Sequence, residues 1–80
     1  MEGLAGRLRW RCRRGMKELD ALLVAHLDRM LGGPTSDAQW QAFETLLDRE
    51  DDQLWDWLSG RIQPPDAATD ELVQHIRRPA

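Results

Sequence analysis

Apolar residues recur every three or four positions along almost the whole chain, and no stretch shows the β-branched alternation of a strand. The pattern predicts an all-α protein of five helices. The first runs from about Leu4 to Arg13, with Leu4, Leu8 and Cys12 on one stripe, and stops at Gly15. The second spans about Met16 to Leu31, turns Met16, Leu19, Leu23, Leu27 and Met30 inward, and ends at Gly32-Gly33-Pro34. Ser36 followed by Gln39 has the form of a capping box, opening a third helix to about Asp48 that buries Trp40, Phe43 and Leu47. After the acidic turn Asp48 to Asp52 comes a short helix with Leu54, Trp57 and Leu58 inward, closed by Gly60. Pro64-Pro65 introduces the last, which runs to about Arg78 and faces inward with Leu72, Val73 and Ile76. The connections are short and no segment repeats another, so the expected architecture is a compact five-helix bundle, a single small domain over residues 1–80.

Length sharpens this picture. A chain of 80 residues buries only roughly 60% of the surface its unfolded form exposes, so the core must rest on a few large groups, Trp40 and Trp57 foremost. With 41% hydrophobic and 31% charged residues the chain is of the globular rather than the disordered class. The longest apolar run, Ala21 to Ala25, is far below the ~20 residues of a membrane span, and Met1 to Gly6 lacks the form of a secretory signal. Cys12 is the only cysteine, which excludes an internal disulfide and suits a cytosolic, reducing setting.

Charge is unevenly placed. Arg7, Arg9, Arg11, Arg13, Arg14 and Lys17 form a segment of charge +6 without an acid, while the remainder carries five basic against fourteen acidic residues. Such a segment suggests either a solvated helix face or a surface meeting an anionic partner.

The groupings that catalysis requires are missing: no glycine-rich phosphate loop, no cysteines or histidines at metal spacing, no serine-nucleophile signature. His26 falls on the apolar face of the second helix between Leu22, Leu23 and Met30 and reads as a packed side chain rather than a base or ligand. Cys12 reads as a small core hydrophobe. Glu50-Asp51-Asp52 lacks the alternating ligands and glycine of a calcium loop, and helix capping accounts for it.

Two features invite a partner. Trp10 lies opposite Leu4, Leu8 and Cys12 and beside Arg7, Arg13 and Arg14. It is either an exposed ring among guanidinium groups, suited to an interface, or a ring packed beneath a later helix under the arginine stems. In Arg14-Gly15-Met16-Lys17-Glu18, the glycine permits a sharp, bare turn. Arg14 either pairs with Glu18 across one helical turn, or both point outward as donor and acceptor for a partner.

This stretch resembles the Arg-Gly-x-x-Glu hallmark of the succinate dehydrogenase assembly factors, the FAD assembly factors of the SdhE type. The resemblance extends to the basic, aromatic-bearing lead-in Arg7 to Arg13, to the following Leu19-Asp20, to "FETLLDREDDQLWDWL" over residues 43–58, and to Pro64-Pro65-Asp66 with the amphipathic last helix. Gln53 departs from an acidic residue common in the family, and Gly32-Gly33-Pro34 is a local variant.

The resemblance implies a bacterial cytoplasmic protein, monomeric when free and not itself an enzyme. Such a protein binds the flavoprotein subunit of succinate dehydrogenase, and in some members fumarate reductase, and promotes covalent attachment of FAD to a histidine of that subunit. No cofactor or metal of its own is implied, the FAD belonging to the client. Carried onto this sequence, Arg14, Gly15 and Glu18 form the contact surface, with Met16, Lys17 and Asp20 as neighbours; Trp10, from its own position among the arginines, is a further partner-binding candidate. The alternatives are a toxin antagonist of antitoxin type and a nucleic-acid-binding helical protein, the latter opposed by a sequence pI of about 5.2.

Overall fold

Five helices follow one another in a computed structural model that describes residues 2–78: α1 (Glu2–Arg11), α2 (Lys17–Leu31), α3 (Asp37–Leu47), α4 (Asp51–Leu58) and α5 (Ala67–Arg77). Met1 and residues 79–80, the ends of the expected domain, lie outside the described residues. The fold is all-helical, as the periodicity predicts. α5 packs against α2, α3 and α4, while α1 lies along α2. The radius of gyration is 11.8 Å, close to the roughly 11.6 Å of a compact chain of this length. None of the helices is long and apolar enough to cross a membrane.

Capping sets several of the boundaries. The Ser36 hydroxyl accepts from the Gln39 amide at 3.1 Å and the Gln39 side chain accepts from the Ser36 amide at 2.8 Å, the reciprocal pair expected of a capping box. The Asp66 carboxylate accepts from the Thr69 amide at 2.8 Å and so opens α5. That bond holds the Asp66 carboxyl below the usual carboxylate range. Gly60 ends α4 at φ +85°, a left-handed conformation that a side chain disfavours.

The core is one cluster to which every helix contributes: Leu8 and Cys12 from the α1 end, Leu19, Leu23, Leu27 and Met30 from α2, Phe43, Leu46 and Leu47 from α3, Leu54, Trp57 and Leu58 from α4, Val73 and Ile76 from α5. Four expected core positions are less buried than their spacing suggests. Trp40, in the first turn of α3, is only half-buried against the cluster, and Leu46 and Leu47 at the other end of the helix are buried with Phe43 instead. Leu4, Met16 and Leu72 are likewise only partly buried against the cluster. Trp57 is 4% exposed, with the Arg49 guanidinium 5.7 Å from its ring centre.

Burial fixes the chemistry of Cys12 and His26. Cys12 is wholly enclosed, and desolvation pushes its thiol up to about 11 despite the nearby arginines, so it is an inert core group. His26 is half-buried with its ring 5.3 Å from Phe43. Burial, assisted by Arg29 and His75, lowers its pKa to about 4. In the folded protein the ring is therefore neutral at pH 7, whereas an unfolded histidine takes up a proton near 6.5. The stability this contributes is complete above pH ~6.5 and is lost as the pH falls toward 4. We expect the wild-type melting temperature to fall relative to that of His26→Leu between about pH 6.5 and 5, as measured by circular dichroism. Parallel melting curves across that window would mean that His26 titrates normally.

Candidate docking surface

The turn between α1 and α2 is built by one carboxylate. α1 tightens at its end, where the Cys12 amide donates to the Leu8 and Arg9 carbonyls and the Arg13 amide to that of Trp10. This ends the helix at Arg11, two residues before the point that apolar spacing suggests. The next two amides turn away: Arg14 N–H donates to Asp20 Oδ1 at 2.8 Å and Gly15 N–H to Asp20 Oδ2 at 3.3 Å. Gly15 takes φ +85°, and Met16, in extended conformation, caps α2, which therefore begins at Lys17. A side chain at Gly15 would meet nothing within 4 Å. Backbone conformation, not crowding, is thus what the fold demands there, and the site faces open space.

Arg14 does something neither sequence reading foresaw. It does not pair with Glu18, and it does not point outward. Its guanidinium folds back under the turn, donating from Nε to Asp51 Oδ1 at 2.7 Å, from Nη1 to the Leu47 carbonyl at 2.9 Å and the Arg11 carbonyl at 3.1 Å, and from Nη2 to the Arg49 carbonyl at 2.7 Å. The Arg11 and Leu47 carbonyls close α1 and α3, ends that lack helical partners and carry partial negative charge. One planar fork therefore ties two helix C-termini to the first turn of α4. Its side chain is only 15% exposed.

Capping does not explain the acidic turn either. Glu50 occupies the N-cap of α4 but makes no side-chain cap bond. Asp51 holds Arg14, and Asp48, at the C-cap of α3, holds Arg11. Glu44 holds Arg7 at 3.3 Å and Asp28 holds Arg9 at 3.0 Å. Four of the six cations in the basic segment are thus neutralised within the molecule. Arg13 and Lys17 are not: both are exposed, without an ion-pair partner among the described residues, and both line the shallow groove between α1 and α2.

The exposed groups at this end of the bundle follow from that arrangement. Trp10, 73% exposed, is the open ring and not the packed one. Gly15, Lys17 and Glu18 are exposed, Met16 and Asp20 half-buried. Glu18 has neither hydrogen bond nor ion pair among the described residues. The accessible groups here are a bare backbone turn with Arg14 beneath it, the anion Glu18, the cations Arg13 and Lys17, which have no ion-pair partner among the described residues, and, on the preceding helix, the Trp10 indole. Sequence reasoning missed Asp51. A signal for it existed: Arg7, Arg11 and Arg14 repeat the spacing of Glu44, Asp48 and Asp51, and all three pairs form at an offset of 37 residues.

Arg14 cannot then be a stability-neutral surface residue. Arg14→Ala orphans three carbonyls and Asp51, and is expected to destabilise the fold by about 2 to 3 kcal/mol, against the ~0.5 kcal/mol of an ordinary exposed site. Urea unfolding measures this; a loss within the ordinary surface range would mean that the fork contributes little.

Comparison with known proteins places this geometry in context. A family model described as flavinator of succinate dehydrogenase matches residues 6–80. The chain is 43% identical over 75 residues to the FAD assembly factor SdhE of Methylococcus capsulatus, covering 90% of this chain and 86% of the relative. It is 35% identical over 72 residues to the protein of the same name in Coxiella burnetii, covering 90% and 87%, and 41% identical over 71 residues to that of Legionella pneumophila, covering 89% and 87%. No solved structure matches the chain.

Proposed function

Since the chain belongs to the family of succinate dehydrogenase flavinators, the FAD assembly factors, we propose that it binds the flavoprotein subunit of succinate dehydrogenase and promotes covalent attachment of FAD there. The observation that carries this reading is the turn at Gly15, positive in φ, open above its Cα, and followed by the exposed Lys17 and Glu18, which have no ion-pair partner among the described residues. Such a surface suits close backbone approach by a partner. The chain works as a chaperone, not as an enzyme: holding the client so that its histidine and the isoalloxazine ring meet in reactive geometry lowers the barrier, while the chemistry remains with client and cofactor. No catalytic group of its own is needed. Fumarate reductase is a second client of the same kind, the free protein is a monomer, and the bacterial cytoplasm is where it acts.

The nucleic-acid alternative loses support from the internal pairing of Arg7, Arg9, Arg11 and Arg14, since phosphate binding needs cations that are free to release counterions. The toxin-antagonist alternative finds no observation of its own. The test is made in cells lacking the gene for this chain, by flavin fluorescence of the succinate dehydrogenase flavoprotein on a denaturing gel. Covalent flavin is expected to fall without the chain and to return on complementation; equal fluorescence in both strains overturns the proposal.

A further inference from the structure

The docking surface has an underside, to which residues distant in sequence contribute. Asp20 accepts both amides that enter the turn, and Arg14 fastens the same turn to Leu47, Arg49 and Asp51 across the α3–α4 junction. Arg49 in turn lies over Trp57, so the fastening reaches the core through the residue that also supplies a carbonyl to it. A glycine at positive φ next to exposed residues is free to sample other conformations unless its neighbours hold it. Here both neighbours are held: Arg14 by four donated side-chain bonds, and Met16 as the α2 cap whose carbonyl accepts from the Asp20 amide at 2.8 Å.

We infer that Arg14, Asp20 and Asp51 are positioning residues that pre-shape the Gly15 turn for its client, and that direct contact is made by Gly15, Met16, Lys17 and Glu18 together with Arg13 and Trp10. This rests on the docking reading above and changes it in two respects. Arg14, the first residue of the Arg-Gly-x-x-Glu pattern, acts from beneath the surface. Asp51, outside that pattern and 37 positions away, becomes part of the same functional unit. If the turn is competent in only a fraction of unclamped molecules, apparent affinity falls by that fraction although no contact has been removed. A lysine at position 14 does not substitute, because one ammonium cannot serve three carbonyls and a carboxylate with planar fork geometry.

The experiment is a double-mutant cycle in binding to the purified flavoprotein subunit, performed well below each variant's melting temperature. Arg14→Ala and Asp51→Ala are each expected to weaken binding by roughly tenfold or more, as for a turn competent about a tenth of the time. Asp51→Asn, which keeps the acceptor for Nε, should restore most of the loss, and Asp51→Ala should have no further effect in the Arg14→Ala background. If Asp51→Ala binds like wild type while Arg14→Ala does not, or if the two losses add, Arg14 or Asp51 touches the client directly and the inference is overturned. A wild-type chain that fails to bind the subunit overturns the docking reading instead. Amide exchange then decides the clamp alone: exchange at Gly15 should quicken in Arg14→Ala, Asp51→Ala and Asp20→Asn while Leu23 and Leu27 keep their protection. Unchanged exchange at Gly15 sinks it.

Discussion

Trp57→Ala is expected to destabilise the fold by about 3 to 5 kcal/mol, as for other buried aromatics cut back to a methyl group. The ring is 4% exposed and lies in the single cluster joining α2, α4 and α5, with Leu54 and Leu58 beside it on α4. α4 has only eight residues, too few to persist alone, so its helicity depends on the apolar face it buries. Removing the ring also leaves Arg49 without the aromatic face that its guanidinium covers, close to where its carbonyl holds Arg14. For a domain of this size the corresponding fall in melting temperature is at least about 12 °C. A melt lowered by only a few degrees would place Trp57 at the periphery of the core.

Gly15→Arg is expected to abolish client binding while leaving a helical fold. The backbone strain of a non-glycine residue at φ +85° costs roughly 1 to 2 kcal/mol. No clash is added, because nothing lies within 4 Å of the new Cβ. The long side chain instead projects from the bare turn into the open space that the partner would occupy. Gly15→Ala carries nearly the same strain with far less bulk, so the difference between the two separates conformation from occlusion. Glu18→Ala removes an exposed acceptor and is expected to weaken binding with stability changed by under ~0.5 kcal/mol. Circular dichroism reports the fold and calorimetric titration against the flavoprotein subunit reports docking. Full binding by folded Gly15→Arg would remove the turn from the interface.

Local physics accounts for what was readable in the sequence. Ser36 and Gln39 announce their helix because both bonds of the capping box lie within one turn. The Leu19, Leu23, Leu27 and Met30 stripe is equally legible, since one helix face decides it. Gly15 and Glu18 are visible as a charged, glycine-bearing junction, and their exposure agrees with that reading. The fate of Arg14 was not visible, for its partners at Leu47, Arg49 and Asp51 are 33 to 37 positions away and two of them are backbone carbonyls, which leave no mark in a sequence. Trp40 and Leu46 show the same limit in the core: both are apolar residues of α3, and only the packing of the other helices decides which is buried.

The most direct test of the account uses purified components. The flavoprotein subunit of succinate dehydrogenase, prepared without covalent flavin, is incubated with FAD in the presence or absence of the chain, and flavin that survives acid precipitation of the subunit is followed over time. Covalent flavin is expected to accumulate faster with the chain present, and the chain itself to be recovered unmodified and without bound flavin. Identical time courses with and without it would contradict the central claim that this small helical protein promotes flavin attachment by holding its client.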